Sequence, residues 1–101
     1  ALAGLERLPS VKVSPPRVGA SPAHLECTLL RIVEIEPERP GDTRSSVVFG
    51  RIVGVHLDEA FMTPQGHFDV ARTRPLTRLG GSQYSSVGEL VELSRPNPPL
   101  N

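Results

Sequence analysis

The stretch that decides the fold is VVFGRIVGVHL, residues 47–57. Large apolar side chains alternate along it with small or polar ones, and period-two alternation predicts a β-strand with one apolar face. The apolar parity holds Val47, Phe49, Val53, Val55 and Leu57, and the other holds Gly50, Ile52, Gly54 and His56. Because glycine relieves crowding where a strand bends, the pattern is typical of a strand in a curved sheet or barrel.

A second run with the same period lies upstream, in residues 25–35 (LECTLLRIVEI). One parity is apolar apart from Arg31, and the other is mainly polar except for Leu30 and Ile32 in its middle. A polar connection, residues 37–46, joins the two runs. The two runs therefore predict an antiparallel pair of long strands.

The flanking segments predict shorter elements. Residues 1–8 are helix-compatible up to Pro9, residues 10–22 form a proline-punctuated arm in which Val11 and Val13 suit a short edge strand, and residues 63–66 (TPQG) form a turn. Asp69 is placed to cap a short helix over residues 70–73 that Pro75 ends. Residues 89–93 suggest a brief strand or helical turn, and a proline-rich tail follows from residue 95.

The bulk composition excludes several classes of function. The 101 residues carry a formal net charge of zero, from 11 basic and 11 acidic side chains, so the basic excess of a nucleic-acid-binding protein is absent. No apolar run approaches the roughly 18 residues of a membrane span, and no signal peptide is recognisable, so a cytoplasmic protein is expected. The 38% apolar content with no Trp predicts a thin core for an independent domain.

Cysteine and histidine offer little chemistry on sequence grounds. The single Cys27 excludes an internal disulfide and, lying on the apolar parity, is expected to be a small buried hydrophobe. His56 stands near Asp58 and Glu59, but ligands at matched spacing are too few for a structural metal site, so a hydrogen-bonded histidine is favoured. His24 and His67 are expected to be isolated surface residues, and no metal ligand set is predicted.

The most suggestive stretch is PLTRLGGSQY, residues 75–84. Gly80 and Gly81 allow either a positive φ or a close approach by another group. One interpretation is a glycine turn with Tyr84 covering a barrel end. The other is a site where the backbone meets a planar anionic ligand, with Arg78 donating hydrogen bonds and Tyr84 packing on the ligand. The residues alone leave both open.

Three segments in this order, SPAHLEC (21–27), VVFGRIVGVHLDEAF (47–61) and RPLTRLGGSQYSSVGEL (74–90), resemble the C-terminal half of the flavin-reductase-like family, the FMN-binding split-barrel flavoproteins. The arm PSVKVSPPRVGASP (9–22) fits the same family, so the resemblance covers about residues 5–96. It implies a mainly β, six-stranded antiparallel Greek-key split β-barrel. The whole chain, 1–101, would be the C-terminal part of that one domain: arm 1–22, barrel strands and loops 23–93, tail 94–101.

The resemblance also implies a function. The expected protein is an FMN-binding oxidoreductase and homodimer that passes electrons or hydride through FMN at the dimer interface, with NAD(P)H as a candidate donor and a small-molecule donor or acceptor. The missing N-terminal half would lie on the same or another chain. The family's motif matches Arg78, Leu79, Gly80, Gly81 and Tyr84, the expected cofactor-binding residues; no catalytic residue is assigned.

Two departures from the family pattern qualify this expectation. Reductases that take hydride from a nicotinamide often carry Gly-Asp-His before the second strand, whereas this chain has Gly41-Asp42-Thr43. That favours a flavin-using reductase of a small organic acceptor over a reductase of free flavin. Arg51 stands where an acidic residue is common. The alternative is a non-enzymatic dimerisation or binding module of split-barrel fold that has no flavin chemistry of its own.

Overall fold

The computed structural model of the chain describes residues 3–97, and this part divides after Ala60 into two compact units. It is mainly β, with strands that pair antiparallel in three separate two-stranded sheets. The strands are β1 (Arg7–Leu8), β2 (Arg17–Val18), β3 (Ala23–Ile35), β4 (Ser45–Leu57), β5 (Leu76–Arg78) and β6 (Tyr84–Ser86); the helical segments are a 3₁₀ turn (Glu59–Phe61) and α1 (Val70–Thr73). Residues 3–97 form no closed barrel, because each strand pairs with one neighbour only; this is consistent with the expected C-terminal part of a split barrel.

The long hairpin of β3 and β4 dominates the first unit and confirms the predicted antiparallel pair. Its register runs from Ala23 opposite Leu57 to Ile35 opposite Ser45. The strands begin two residues earlier than the sequence pattern indicates, at Ala23 and Ser45. At the base of the hairpin the Asp58 N–H donates to the Pro22 carbonyl at 2.9 Å.

Two irregularities change which side chains share a face of this hairpin. Val53 in β4 and Leu30 in β3 have no partner in the register, as expected of β-bulges. Each bulge shifts the alternation by one residue, so strict parity holds only between bulges. Val47 and Phe49 therefore lie on the opposite face of the hairpin from Val55, and the prediction of one apolar face along residues 47–57 was wrong.

Following the register through both bulges gives one mainly apolar face of the hairpin, the leucine face. It comprises Leu25, Cys27, Leu29, Ile32, Val48, Ile52 and Val55. Its large apolar side chains are 51–66% exposed, from Ile32 to Leu29. In the part of the chain that the structure describes, no apolar side chain is buried, so the thin core expected from composition is in fact an uncovered sheet face.

The N-terminal region differs from the sequence prediction. Residues 3–8 contain no helix; Gly4 has a φ of +63° and Leu8 pairs with Arg17 in the small β1–β2 sheet. The helix prediction was wrong there because Gly4 adopts a left-handed conformation that interrupts a helix; residues 1 and 2 lie outside the described range. The edge strand expected at Val11 and Val13 is likewise absent, since their N–H groups bond to a side chain instead of to a strand.

The second unit holds the predicted turn and short helix. The Gly66 N–H donates to the Thr63 carbonyl at 2.9 Å, with Gly66 at a φ of +84°, and α1 occupies the predicted residues. The prediction for residues 89–93 was wrong: this exposed segment is irregular and pairs with no strand. Residues 95–97 are irregular, as expected of the tail. None of the helices in residues 3–97 is long and apolar enough to cross a membrane.

Candidate functional site

The β5–β6 hairpin brings together all five residues that the sequence singled out. Arg78 lies opposite Tyr84 in the register. The Leu79 N–H donates to the Gln83 carbonyl at 2.9 Å, and the Gln83 N–H donates to the Gly80 carbonyl at 3.1 Å. The two glycines therefore form the turn of a tight hairpin, which confirms the turn interpretation of this stretch.

Arg78 spans the hairpin with its guanidinium. Nη1 donates to the Tyr84 hydroxyl and Nη2 donates to the Gly81 carbonyl, each at 2.5 Å. The guanidinium carbon also lies 5.0 Å from the centre of the Tyr84 ring, within the range of a cation–π contact. Arg78 thus fixes the tyrosine ring and the glycine turn in one arrangement, while Tyr84 stays 53% exposed and covers no barrel end in residues 3–97.

The backbone conformation requires glycine at position 81 of this turn but not at position 80. Gly81 has a φ of +60°, a conformation that other L-residues adopt only at a cost. Gly80 has no such φ, and a Cβ placed on it would meet nothing within 4 Å. The hairpin itself therefore explains glycine at 81 but not at 80, where the backbone faces open space.

The short helix α1 leads into this hairpin with defined ends. Asp69 caps α1 by accepting the Arg72 N–H at 3.2 Å, as predicted. Arg74 closes the helix in the left-handed region with a φ of 46°, and its Nη2 donates to the Ser86 hydroxyl on β6 at 2.9 Å. This second arginine on the hairpin was missed, because a non-glycine residue at positive φ has no clear sequence signal.

The first unit contains a polar cluster that the sequence did not indicate, built around Glu26. Three successive N–H groups of the arm, those of Val11, Lys12 and Val13, donate to its carboxylate at 2.6–3.2 Å. His56 Nε2 contacts the same carboxylate. Glu26 is only 2% exposed and is the single buried polar residue of the described chain.

The cluster holds Glu26 as an anion. Burial raises the pKa of its carboxyl. The backbone N–H groups of Lys12 and Val11 and the contact with His56 lower the pKa by more than burial raises it, so that it falls to about 2. Convergent backbone N–H groups of this kind form an anion-binding nest, filled here by the chain's own side chain. Gly54 lies opposite Glu26, and a Cβ there would meet Glu26 Cβ at 3.4 Å and Lys12 Cγ at 3.5 Å. No sequence signal indicated this cluster, because Gly54 is seen to lie opposite Glu26 only once the strands are paired.

The histidines are more connected than expected. His56 is hydrogen-bonded, as predicted. The expectation that His24 is isolated was wrong: it pairs with His56 across the strands, the two rings lie 6.1 Å apart, and its Nε2 donates to the Val18 carbonyl at 2.6 Å. His67 directly follows the turn at residues 63–66 and is exposed, as predicted.

The sequence also singled out Cys27, the segment Gly41-Asp42-Thr43 and Arg51. The expectation of a buried Cys27 was wrong, since its face of the hairpin is uncovered and the thiol is exposed. Gly41 has a φ of +91° and the Asp42 N–H donates to the Arg39 carbonyl, so Gly41-Asp42-Thr43 forms an ordinary turn. Arg51 pairs with Thr28 on the face opposite the leucine face.

The chain is similar to two solved structures whose names describe redox enzymes. It superposes on nitrilotriacetate monooxygenase component B from Bacillus cereus with a TM-score of 0.77 at 28% identity, over 91% of this chain and 46% of that one. It superposes on the 2-nitrobenzoate 2-nitroreductase NbaA of Pseudomonas fluorescens with a TM-score of 0.73 at 28% identity, over 95% of this chain and 46% of that one. The antiparallel fold described above is therefore part of an oxidoreductase-like fold.

Two curated proteins are also similar in sequence. The uncharacterized protein BH2278 of Halalkalibacterium halodurans is 34% identical over 95 residues, which are 93% of this chain and 44% of that protein. The uncharacterized protein YwrF of Bacillus subtilis is 31% identical over 94 residues, 92% of this chain and 45% of that protein. No family model matches the chain. The chain spans less than half the length of each of these four proteins.

Proposed function

We propose that this chain is part of an FMN-binding oxidoreductase and supplies the C-terminal part of its split barrel, residues 1–101. The observation that carries the proposal is the superposition on a monooxygenase component at a TM-score of 0.77. The names of both solved structures describe redox chemistry. The sequence resemblance to flavin-reductase-like proteins adds the identity of the cofactor.

The β5–β6 hairpin fits a flat cofactor. Gly80 leaves open space where any other residue would place a Cβ, and Tyr84 and Leu79, half-exposed, offer apolar surface on the same turn. Gly80 and Gly81 would admit the isoalloxazine ring or the partner chain, and Tyr84 would wall the pocket. When bound, FMN would supply hydride or electron transfer.

Arg78 would act in two ways in this site. Its contacts to the Tyr84 hydroxyl and the Gly81 carbonyl hold the turn in shape. Its positive charge would favour the anionic form of a reduced flavin nearby. An Arg78→Lys protein would keep the charge and lose the two-armed contact, so a lower FMN affinity would reveal the positioning role. An Arg78→Gln protein would also lose the charge, so a flavin potential that changes in Arg78→Gln but not in Arg78→Lys would reveal the role of the charge.

The acceptor that we propose is a small organic molecule. Thr43 stands where nicotinamide-dependent members of the resembled family often carry histidine. NAD(P)H is therefore a candidate electron donor that this position of the sequence does not support. The solved relatives are named for nitrilotriacetate and 2-nitrobenzoate, and both compounds are small organic acids. We also propose a homodimer in the cytoplasm, in which the half of the barrel outside this chain covers the leucine face.

The test of the proposal is FMN binding to the intact protein, followed by its visible absorption spectrum. Gly80→Ala is expected to weaken FMN binding at least tenfold without lowering stability, since its Cβ would meet only the ligand. Gly88→Ala is the matched control, because Gly88 also has open space around it and lies outside the hairpin. Equal FMN affinity for wild type and Gly80→Ala would contradict the site.

The same spectrum separates the alternative function. Exposed apolar surface on the leucine face suits a dimerisation or binding module. An intact protein that shows no flavin absorption after incubation with FMN and removal of the free FMN, yet is dimeric in solution, would establish the module and overturn the oxidoreductase.

A further inference from the structure

A cavity at the base of the long hairpin is not used by the flavin proposal. It has a volume of about 440 Å³, within the range of small-molecule sites. The arm and the β4 edge both contribute to its lining, chiefly Leu8, Arg17, His24, Val55, His56 and Leu57. It therefore combines apolar side chains with the guanidinium of Arg17, all from the first unit.

Arg17 is a half-buried cation at the edge of this cavity. Its Nε donates to the Pro9 carbonyl at 3.1 Å, and its Nη1 lies 3.5 Å from His24 Nδ1. These two partners are a backbone carbonyl and an imidazole nitrogen, and the other ring nitrogen of His24, Nε2, donates to the Val18 carbonyl. Within residues 3–97 no carboxylate lies at salt-bridge distance from Arg17 and Nη2 has no hydrogen-bond partner. A planar guanidinium in this state is suited to bind a carboxylate or phosphate.

The carboxylates near the cavity are already engaged. Glu26 is saturated by three arm N–H groups and His56. Asp58, which also lines the cavity, accepts the Ala60 N–H at 2.9 Å through Oδ1. Glu26 fixes the arm that carries Arg17 and also fixes the His56 ring, so both groups are preorganised on the cavity.

We propose that this cavity binds a small organic anion, with Arg17 as its charged contact and Leu8 and Leu57 as its apolar wall. The ligand class is a carboxylate or phosphate attached to a compact apolar body. The proposal goes beyond the oxidoreductase proposal, because it requires neither a flavin nor the β5–β6 hairpin.

The test uses benzoate as the probe and the uncharged benzamide as its isosteric control. In the intact protein with ¹³C-labelled histidine, benzoate is expected to shift the ring signals of His24 and His56 in a saturable manner, and benzamide is expected to bind at least tenfold more weakly. Arg17→Gln should weaken benzoate binding about tenfold, equivalent to about 1.4 kcal/mol. Arg51→Gln, an exposed arginine outside the cavity, is the matched control and should bind as wild type does.

Two further measurements define the ligand. Inorganic phosphate tests whether charge alone suffices: binding as tight as that of benzoate assigns the site to phosphate groups, and weaker binding confirms the use of the apolar wall. Asp58→Asn removes the only other charged lining group and should strengthen benzoate binding. Equal binding of benzoate and benzamide, or an Arg17→Gln protein that binds benzoate as wild type does, would overturn the proposal.

Discussion

At the scale of single residues, the Glu26 carboxylate connects the N-terminal arm, β3 and β4 of the described chain through its hydrogen bonds. This carboxylate accepts hydrogen bonds from three backbone N–H groups of the arm and from one imidazole of β4. Pro15 and Pro16 follow these residues and donate no N–H groups, so the arm cannot join the sheet as a continuous strand. Its attachment to β3 therefore depends on a side-chain acceptor, and hydrogen bonds to a charged acceptor are the strong ones.

The pH dependence of stability should reveal this anchor. The pKa of Glu26 falls from an ordinary 4.5 to about 2 on folding, so its contribution is complete above about pH 4.5 and is lost as the pH falls toward 2. We expect the urea midpoint of the wild type to fall over this range with a component that Glu26→Gln lacks. The two curves should converge at the acid end. Glu89→Gln, at an exposed glutamate, is the control and should follow the wild type; parallel curves for Glu26→Gln and wild type would contradict the anchor.

At the scale of elements, the N-cap of α1 is a local feature with a measurable value. The Asp69 side chain accepts the Arg72 N–H, and the Asp69 carbonyl accepts the Thr73 hydroxyl and N–H. Asp69→Ala should cost about 1 kcal/mol, whereas Asp69→Asn should cost almost nothing because Asn caps helices equally well. Amide hydrogen exchange at Arg72 in the intact protein measures both. Equal exchange rates in the two variants would show that the cap does not hold this segment.

Elements that depend on local chemistry were predictable from the sequence, and those that depend on distant partners were not. The strand at residues 47–57, the cap at Asp69 and the turn at Gly66 have local signals, and all three elements appear in the structure. The bulges at Val53 and Leu30 follow from strand pairing, which parity counting cannot reveal. In the Glu26 cluster, the bonded residues are separated by between 13 and 30 positions in the sequence. No short window of the sequence therefore contains the cluster. In the β5–β6 hairpin, the glycine turn was predictable from the sequence, but the bonding of Arg78 to Tyr84 and Gly81 was not, because it depends on how the side chains fold back across the turn.

At the scale of the whole molecule, the leucine face is the outstanding feature. Soluble proteins rarely expose a contiguous apolar patch of several large side chains unless it meets a partner. The chain matches less than half the length of its relatives while nearly all of it is matched. The proposed occupant of the face is therefore the remaining part of the barrel. This also accounts for the absence of a buried apolar side chain in residues 3–97.

Substitution at Ile52 tests this occupant in the intact protein. Ile52 is 55% exposed on the leucine face, while its neighbour Arg51 points to the opposite face. If the other half of the barrel covers the face, Ile52→Ala removes buried methylenes and should cost about 3 kcal/mol in the free energy of unfolding. Arg51→Ala should change it by less than about 0.5 kcal/mol. Urea unfolding of the intact protein measures both. A cost for Ile52→Ala as small as that for Arg51→Ala would mean that the leucine face stays in water in the complete protein, and the barrel closure proposed here would have to be abandoned.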